Sequence, residues 1–339
     1  MTKLADLVAP LAEKASFAGV VRVDVAGETR YEAAFGLADR AHGLAMRTDS
    51  QLAIASGSKA MTALAVMSLL DEGALDLSTT ARSVLGDDLP LIAPDVTVEH
   101  LLAHRSGIGD YLDEDDGWQP SDYVLPVPVH QLATTEAFLP VIDGFPTAFA
   151  AGERFSYCNG GYIVLALLTE RASGVPYHDL VERRVLAPAG MSDSGFLRTD
   201  DLPGRAALGY VQCDGVWRTN VFHLPVRGNG DGGLYTTLAD VHRFWAALMA
   251  GRILPTPVVR QMLRPRSTVD VDGDCYGLGF WLSDTDDTVT LDGGDAGVSF
   301  RSVHSPTAQI TYTVIATTYE GASPIIRAIK AHLASGNAE

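Results

Sequence analysis

The chain has 339 residues, 47% hydrophobic and 20% charged side chains, and 25 Lys+Arg against 42 Asp+Glu, a formal net charge of −17. That length supports a full hydrophobic core, while so acidic a surface repels phosphate backbones and anionic lipid and so argues against nucleic acid and membrane partners. No run approaches the ~18 apolar residues of a membrane span.

The amino end lacks the basic segment, apolar core and small-residue cleavage site of a signal peptide. Cys158, Cys213 and Cys275 are odd in number and not closely spaced, which fits a reducing interior; the expected location is cytoplasmic. In chain order, Val20 to Val25 alternates like a strand, Ala26-Gly27-Glu28 turns and Thr29 to Phe35 returns, predicting a hairpin. Ser56 then opens the most apolar helix-like stretch: Ala60 to Leu70 is rich in helix formers and stops at Asp71-Glu72-Gly73. Helix-like runs dominate as far as about Leu197. Within them, residues 108–151 show little periodicity and carry Pro120, Pro126, Pro128, Pro140 and Pro146. Such a segment reads as an active-site loop, its Tyr111, Trp118, Tyr123 and Phe149 either walling the site or covering the lobe's own core. Gly228 to Gly233 reads as a loop. Strand-like runs return at Tyr276–Leu282, Thr288–Leu291, Val298–Val303 and Ile310–Ala316, before an amphipathic helix over Pro324–Leu333.

These elements predict an α+β (α/β) architecture. Residues 1–55 and 200–339 form a discontinuous sheet lobe, both chain ends sharing one antiparallel sheet flanked by helices. Residues 56–199 form an inserted helical lobe, with Ser56 at the junction, where ligand clefts are favoured.

Only four of the cations are lysines, at positions 3, 14, 59 and 330. Arginine stays protonated at ordinary pH, whereas burial can bring an ammonium to a pKa at which it exchanges a proton. Ser56-x-x-Lys59 sets a serine at a helix start and the lysine one turn on, on the same face. Alone, the pattern also fits a capping serine followed by a solvated lysine. Tyr157-Cys158-Asn159, on a turn between glycines, adds a phenol and an amide, although Asn159 by itself reads equally as a turn residue.

Taken in order, Ser56-x-x-Lys59, His100-Leu101-Leu102-Ala103-His104-Arg105-Ser106-Gly107 and Tyr157-x-Asn159 resemble the class C β-lactamase and penicillin-binding-protein-like serine hydrolases; family VIII carboxylesterases and D-amino-acid peptidases share the pattern. Leu186–Met191, Gly232–Asp240 and Tyr276–Trp281 agree, so the resemblance runs from about Phe17 to about Leu333. It implies a β-lactamase/transpeptidase-like fold and an acyl-enzyme on Ser56. Lys59 and Tyr157 would share the proton transfers as a coupled pair, neither being singled out as the base. It further implies that Asn159 hydrogen-bonds Lys59 and the substrate, and that an oxyanion hole draws N–H groups from Ser56 and Gly294. One element departs from the pattern. Where the family has Lys or His, then Thr or Ser, then Gly, this chain has Leu291-Asp292-Gly293, so the cation that helps hold an anionic substrate group is missing. Arg301, close by on a predicted strand, is the group able to replace it.

Other chemistries are not supported. In Glu99-His100-x-x-x-His104 the glutamate precedes the first histidine, so the metalloprotease pattern fails and the histidines read as structural residues on a buried helix. Neither G-x-S-x-G nor G-x-x-x-x-G-K-[ST] occurs. Asp113-Glu114-Asp115-Asp116 and Asp284-Thr285-Asp286-Asp287 lack EF-hand spacing and read as solvated loop tips. No metal or cofactor is called for. The expectation is a serine hydrolase for a small-molecule ester or amide. An acyltransferase, a D-amino-acid peptidase or β-lactamase, and a non-catalytic penicillin-binding-like module are the alternatives, and the oligomeric state is open.

Overall fold

The structure, a computed structural model, describes residues 3–112, 124–269 and 274–335. The acidic run 113–116, Trp118, Pro120 and Tyr123 lie outside the described residues. The amino-terminal hairpin forms as expected: Gly19–Val25 pairs with Glu28–Phe35 around Ala26 and Gly27, whose φ values are 53° and 80°. Its valines alternate between two cores, Val20 facing one and Val21 and Val23 the other. The last strands of the chain join this hairpin. In spatial order the sheet runs Glu28–Phe35, Gly19–Val25, Ile310–Ala316, Val298–Ser305, Val289–Asp295, Trp281–Ser283, Asp274–Tyr276 and Ser267–Thr268, every neighbouring pair antiparallel. Helices Leu4–Lys14 and Ala322–Ala334 cover one face, packing Val8, Ile325 and Ile329 with Val21, Val23 and Val314. The larger core lies on the other face, continuous from Val20, Leu291, Phe300 and Ile315 of the sheet into the helices.

One strand expectation is corrected. Tyr276–Leu282 is not a single strand: Asp274–Tyr276 and Trp281–Ser283 pair antiparallel, with Tyr276 opposite Trp281. The chain reverses between them through Gly279, whose φ is 88° and where a Cβ would run into the side chain of Ala63. Glycine thus lets the reversal lie directly on a helix, and glycine inside an apolar strand-like run is the signal for such a bend.

That helix, Lys59–Asp71, is buried from Lys59 to Leu69, as expected of a segment apolar on all sides. It stops where the sequence predicted, with Gly73 at φ 74°. Beside it runs Asn159–Ser173, buried from Asn159 to Thr169 and ended by Gly174 at φ 67°. The first residue of one helix therefore meets the first residue of the other. No helix among the described residues is long and apolar enough to cross a membrane.

Candidate active site

Ser56 lies in a single 3-10 turn, Ala55–Ser58, that leads into the buried helix. Ala55 is left-handed at φ 45°, a conformation that costs a non-glycine residue about 1–3 kcal/mol and persists only where its surroundings enforce it. The enforcement is visible. Ser58 Oγ donates to Ala55 O at 2.9 Å, Gly57 N donates to Ile54 O at 2.9 Å, and the sheet presses on the turn through two glycines. A Cβ on Gly293 would lie 2.7 Å from Gly57 N and 3.0 Å from Ser56 N, and one on Gly57 would overlap the Phe300 ring. Strand Val289–Asp295 and the serine turn thus touch backbone to backbone.

Lys59 is 2% exposed. Its Nζ donates to Ser56 Oγ at 2.9 Å, Asn159 Oδ1 at 2.7 Å and the Asp231 carbonyl at 2.6 Å. Two of these acceptors are amide oxygens that can never donate. The third direction, toward Ser56, works in either sense: an ammonium donates to Oγ, and a neutral amine accepts the hydroxyl proton. One geometry therefore serves both charge states.

The acceptors are themselves held. Asp110 takes Asn159 N at 2.5 Å and Gly160 N at 2.8 Å, and Leu112 O takes Asn159 Nδ2 at 3.2 Å. Burial pushes the Asp110 carboxyl up to about 6, against the opposing pull of these N–H groups and of Lys59. Asp231 lies in a tight turn bridged Asn229 to Gly232, and its carboxylate accepts Tyr111 OH at 2.5 Å; burial raises this carboxyl too. Gly230 O in the same turn accepts Thr62 Oγ1 at 2.6 Å, pinning the loop to the buried helix.

Tyr157 packs between two rings, with His104 at 4.3 Å between centroids and Trp281 stacked at 6.0 Å and 16°; Lys59 Nζ lies 4.9 Å from its centroid. His104 follows the short helix Val98–Leu102 in a left-handed conformation at φ 53°. Its Nδ1 accepts Cys158 N at 3.0 Å, which leaves the proton of the neutral ring on Nε2. Burial first, and then the Lys59 charge, hold its pKa well below the usual histidine range. His100 turns elsewhere: its Nδ1 accepts Thr97 N while Thr97 Oγ1 accepts His100 N, a capping box. Among the described residues no group of His, Cys, Asp or Glu is placed to hold a metal. Cys158 is buried, its Sγ accepting Gly161 N at 3.3 Å. Phe149 packs against Gly107 and under the Arg154 guanidinium, 4.1 Å from its centroid.

Ser56, Tyr157, Trp281, Asp292, Gly293 and Gly294 line one cleft of about 760 Å³, together with Tyr319, Arg301 and residues of helix Ala322–Ala334. The structure brings Ser56, Lys59, Tyr157 and Asn159 together. It does not bring Leu291 to the cleft, since that side chain is buried in the larger core. Arg301 reaches the cleft wall, but its Nε and Nη2 donate to the two carboxylate oxygens of Asp292, its partner in the strand register, at 2.8 Å each. Sequence reasoning missed Asp110, Asp231 and Trp281; of the two alternatives for Tyr111, wall or core cover, its ring packs partly buried against the larger core, and neither alternative included the hydrogen bond to Asp231. No spacing marked them; the glycine loop holding Asp231 read only as a turn.

A family model described as Beta-lactamase matches residues 4–334. This chain belongs to that beta-lactamase family. It shares the fold, a mixed arrangement of helices around an eight-stranded antiparallel sheet. A penicillin-binding protein from Bacillus halodurans superposes with a TM-score of 0.90 at 34% identity, over 96% of this chain and 99% of that one. Penicillin-binding protein 4* of Bacillus subtilis is 28% identical over 313 residues, covering 87% of this chain and 67% of that protein. Esterase EstB of Burkholderia gladioli is 30% identical over 301 residues, 77% of this chain and 74% of the esterase. This family member thus spans about two thirds to three quarters of the length of those two relatives.

Proposed function

We propose that the protein is a serine hydrolase that forms an acyl-enzyme on Ser56 from a small ester or amide. Ser56 Oγ attacks the carbonyl, and its proton passes to the Lys59/Tyr157 pair, which returns one to the leaving group; water then releases the acyl group. Ser56 N–H and Gly294 N–H are the proposed oxyanion donors, and Asn159 orients the lysine and the substrate. The observation that carries this reading is Lys59 Nζ at 2.9 Å from Ser56 Oγ, with two carbonyl oxygens fixing its other directions.

The proposed substrate class rests on two residues, Leu291 and Arg301. Leu291 supplies no cation, and Arg301 is matched by Asp292, so neutral acyl substrates are preferred over carboxylate-bearing ones. Turnover of p-nitrophenyl esters is expected to exceed that of a chromogenic cephalosporin by at least tenfold in kcat/KM, about 1.4 kcal/mol. Preference for the cephalosporin refutes it. That result would support the second reading, a β-lactamase or D-peptidase, which Arg327 and Lys330 favour because they also line the cleft.

A further inference from the structure

Lys59 is aimed by two oxygens that come from separate parts of the chain, Asn159 Oδ1 at a helix start and Asp231 O in a glycine-rich turn. Both are gripped by one tripeptide, Asp110-Tyr111-Leu112. The Asp110 carboxylate holds the Asn159 and Gly160 main-chain N–H groups at 2.5 and 2.8 Å. Leu112 O holds Asn159 Nδ2 at 3.2 Å, which orients the side-chain amide with Oδ1 toward the lysine. Tyr111 OH, 2.5 Å from Asp231 Oδ2, ties down the turn that supplies the other oxygen.

We propose that Asp110 and Tyr111 are positioning residues: they bracket the two carbonyl oxygens that aim Lys59 at Ser56, and so set the rate of proton transfer from the serine. The inference rests on the acyl-enzyme reading above. Helix capping alone does not require this carboxylate, because Cys158 Sγ already takes Gly161 N at the same helix end. Neither does packing, since a part-buried carboxylate whose charged form burial disfavours costs free energy that an apolar side chain would not. What the carboxylate adds is direction: it fixes the main chain of the residue whose side chain touches the lysine. A reacting group displaced by about 1 Å loses on the order of 10² in rate, which sets the scale of the expected effect.

The test uses the full chain with Asp110→Asn, Asp110→Glu and Tyr111→Phe, and a fluorophosphonate probe. On labelling, Ser56 Oγ forms the P–O bond, the P–F bond breaks, fluoride leaves, and the hydroxyl proton goes to the Lys59/Tyr157 pair. Second-order labelling rates come from intact mass, kcat and KM from a p-nitrophenyl ester, and Tm from thermal unfolding. Asp110→Asn and Tyr111→Phe are expected to label 10- to 100-fold more slowly than wild type, with kcat down in proportion and KM within threefold. Asp110→Glu, which keeps the carboxylate, should label faster than Asp110→Asn. Labelling of both variants within twofold of wild type, or a loss confined to KM, overturns the proposal. If Asp110→Asn does not fold, Tyr111→Phe, which removes one oxygen, decides alone. A wild-type protein that takes no label overturns the acyl-enzyme reading itself, a result distinct from a labelled wild type whose variants label equally.

Discussion

Replacing Lys59 by methionine keeps the length of the alkyl stem and removes the nitrogen. Two oxygens, the buried Asn159 Oδ1 and the part-buried Asp231 O, then lose a donor, at about 1–3 kcal/mol each. Against this, a 2% exposed cation no longer has to be desolvated, a relief of several kcal/mol. The two terms are of similar size, so stability is expected to move by no more than about 2 kcal/mol in either direction, or roughly 3 °C in Tm for a chain of this length. Acylation has no such compensation. Loss of the proton carrier should cost about 10²–10⁴ in the fluorophosphonate labelling rate, or about 2.7–5.4 kcal/mol. Parallel labelling and thermal unfolding of wild type and Lys59→Met separate the two quantities. Labelling within threefold of wild type removes the lysine from the proton path. A fall of Tm beyond about 10 °C shows instead that the ammonium is a structural keystone.

Two further outcomes follow from charges elsewhere in the molecule. Asp292→Asn should leave Arg301 as an uncompensated cation on the cleft wall and raise the kcat/KM of a carboxylate-bearing substrate relative to a neutral ester three- to tenfold; an unchanged ratio shows that this wall does not touch substrate. Stability should fall as pH drops below about 6.5. Burial holds His178 and His304 at about 4, and His104 and His242 are also lowered, so each stays neutral in the fold and takes up a proton on unfolding. Their stabilising contribution is present above the unfolded histidine pKa and is lost as pH falls, by about 1–2 kcal/mol each at pH 5 for His178 and His304. Asp110, raised to about 6, and Asp231, also raised by burial, act in the opposite sense, Asp110 offsetting about 1 kcal/mol. Denaturant midpoints at pH 7.5 and pH 5 measure the balance, and equal midpoints refute the assignment of these histidines as buried and neutral.

The sequence made some of this legible because local rules sufficed. An apolar run with a glycine stop marked the buried helix, period-two valines marked the hairpin, and a lysine one turn after a serine marked the pair that lies 2.9 Å apart. It hid what depends on convergence. Asp110, Tyr111 and Asp231 carry no distinguishing spacing; their partners lie 49 and 120 positions away, and only the packed fold brings them together. Tyr276–Leu282 misled for the reverse reason, since its apolar content signals burial whether the backbone is straight or reversed. The pairing of Arg301 with Asp292 was hidden as well, because strand register is set by the whole sheet.

The pairing of the first long strand with the last has a consequence for biosynthesis. Gly19–Val25 has Glu28–Phe35 on one side, but its other side is filled only by Ile310–Ala316, about 285 residues later. At roughly 5–20 residues per second a ribosome needs about 15–60 s to cover that interval. Throughout it, the emerging hairpin presents an open hydrogen-bonding edge of the kind that recruits other chains. Slower elongation would lengthen that exposure, so the yield of properly assembled protein should respond to how quickly the codons between the two strands are read.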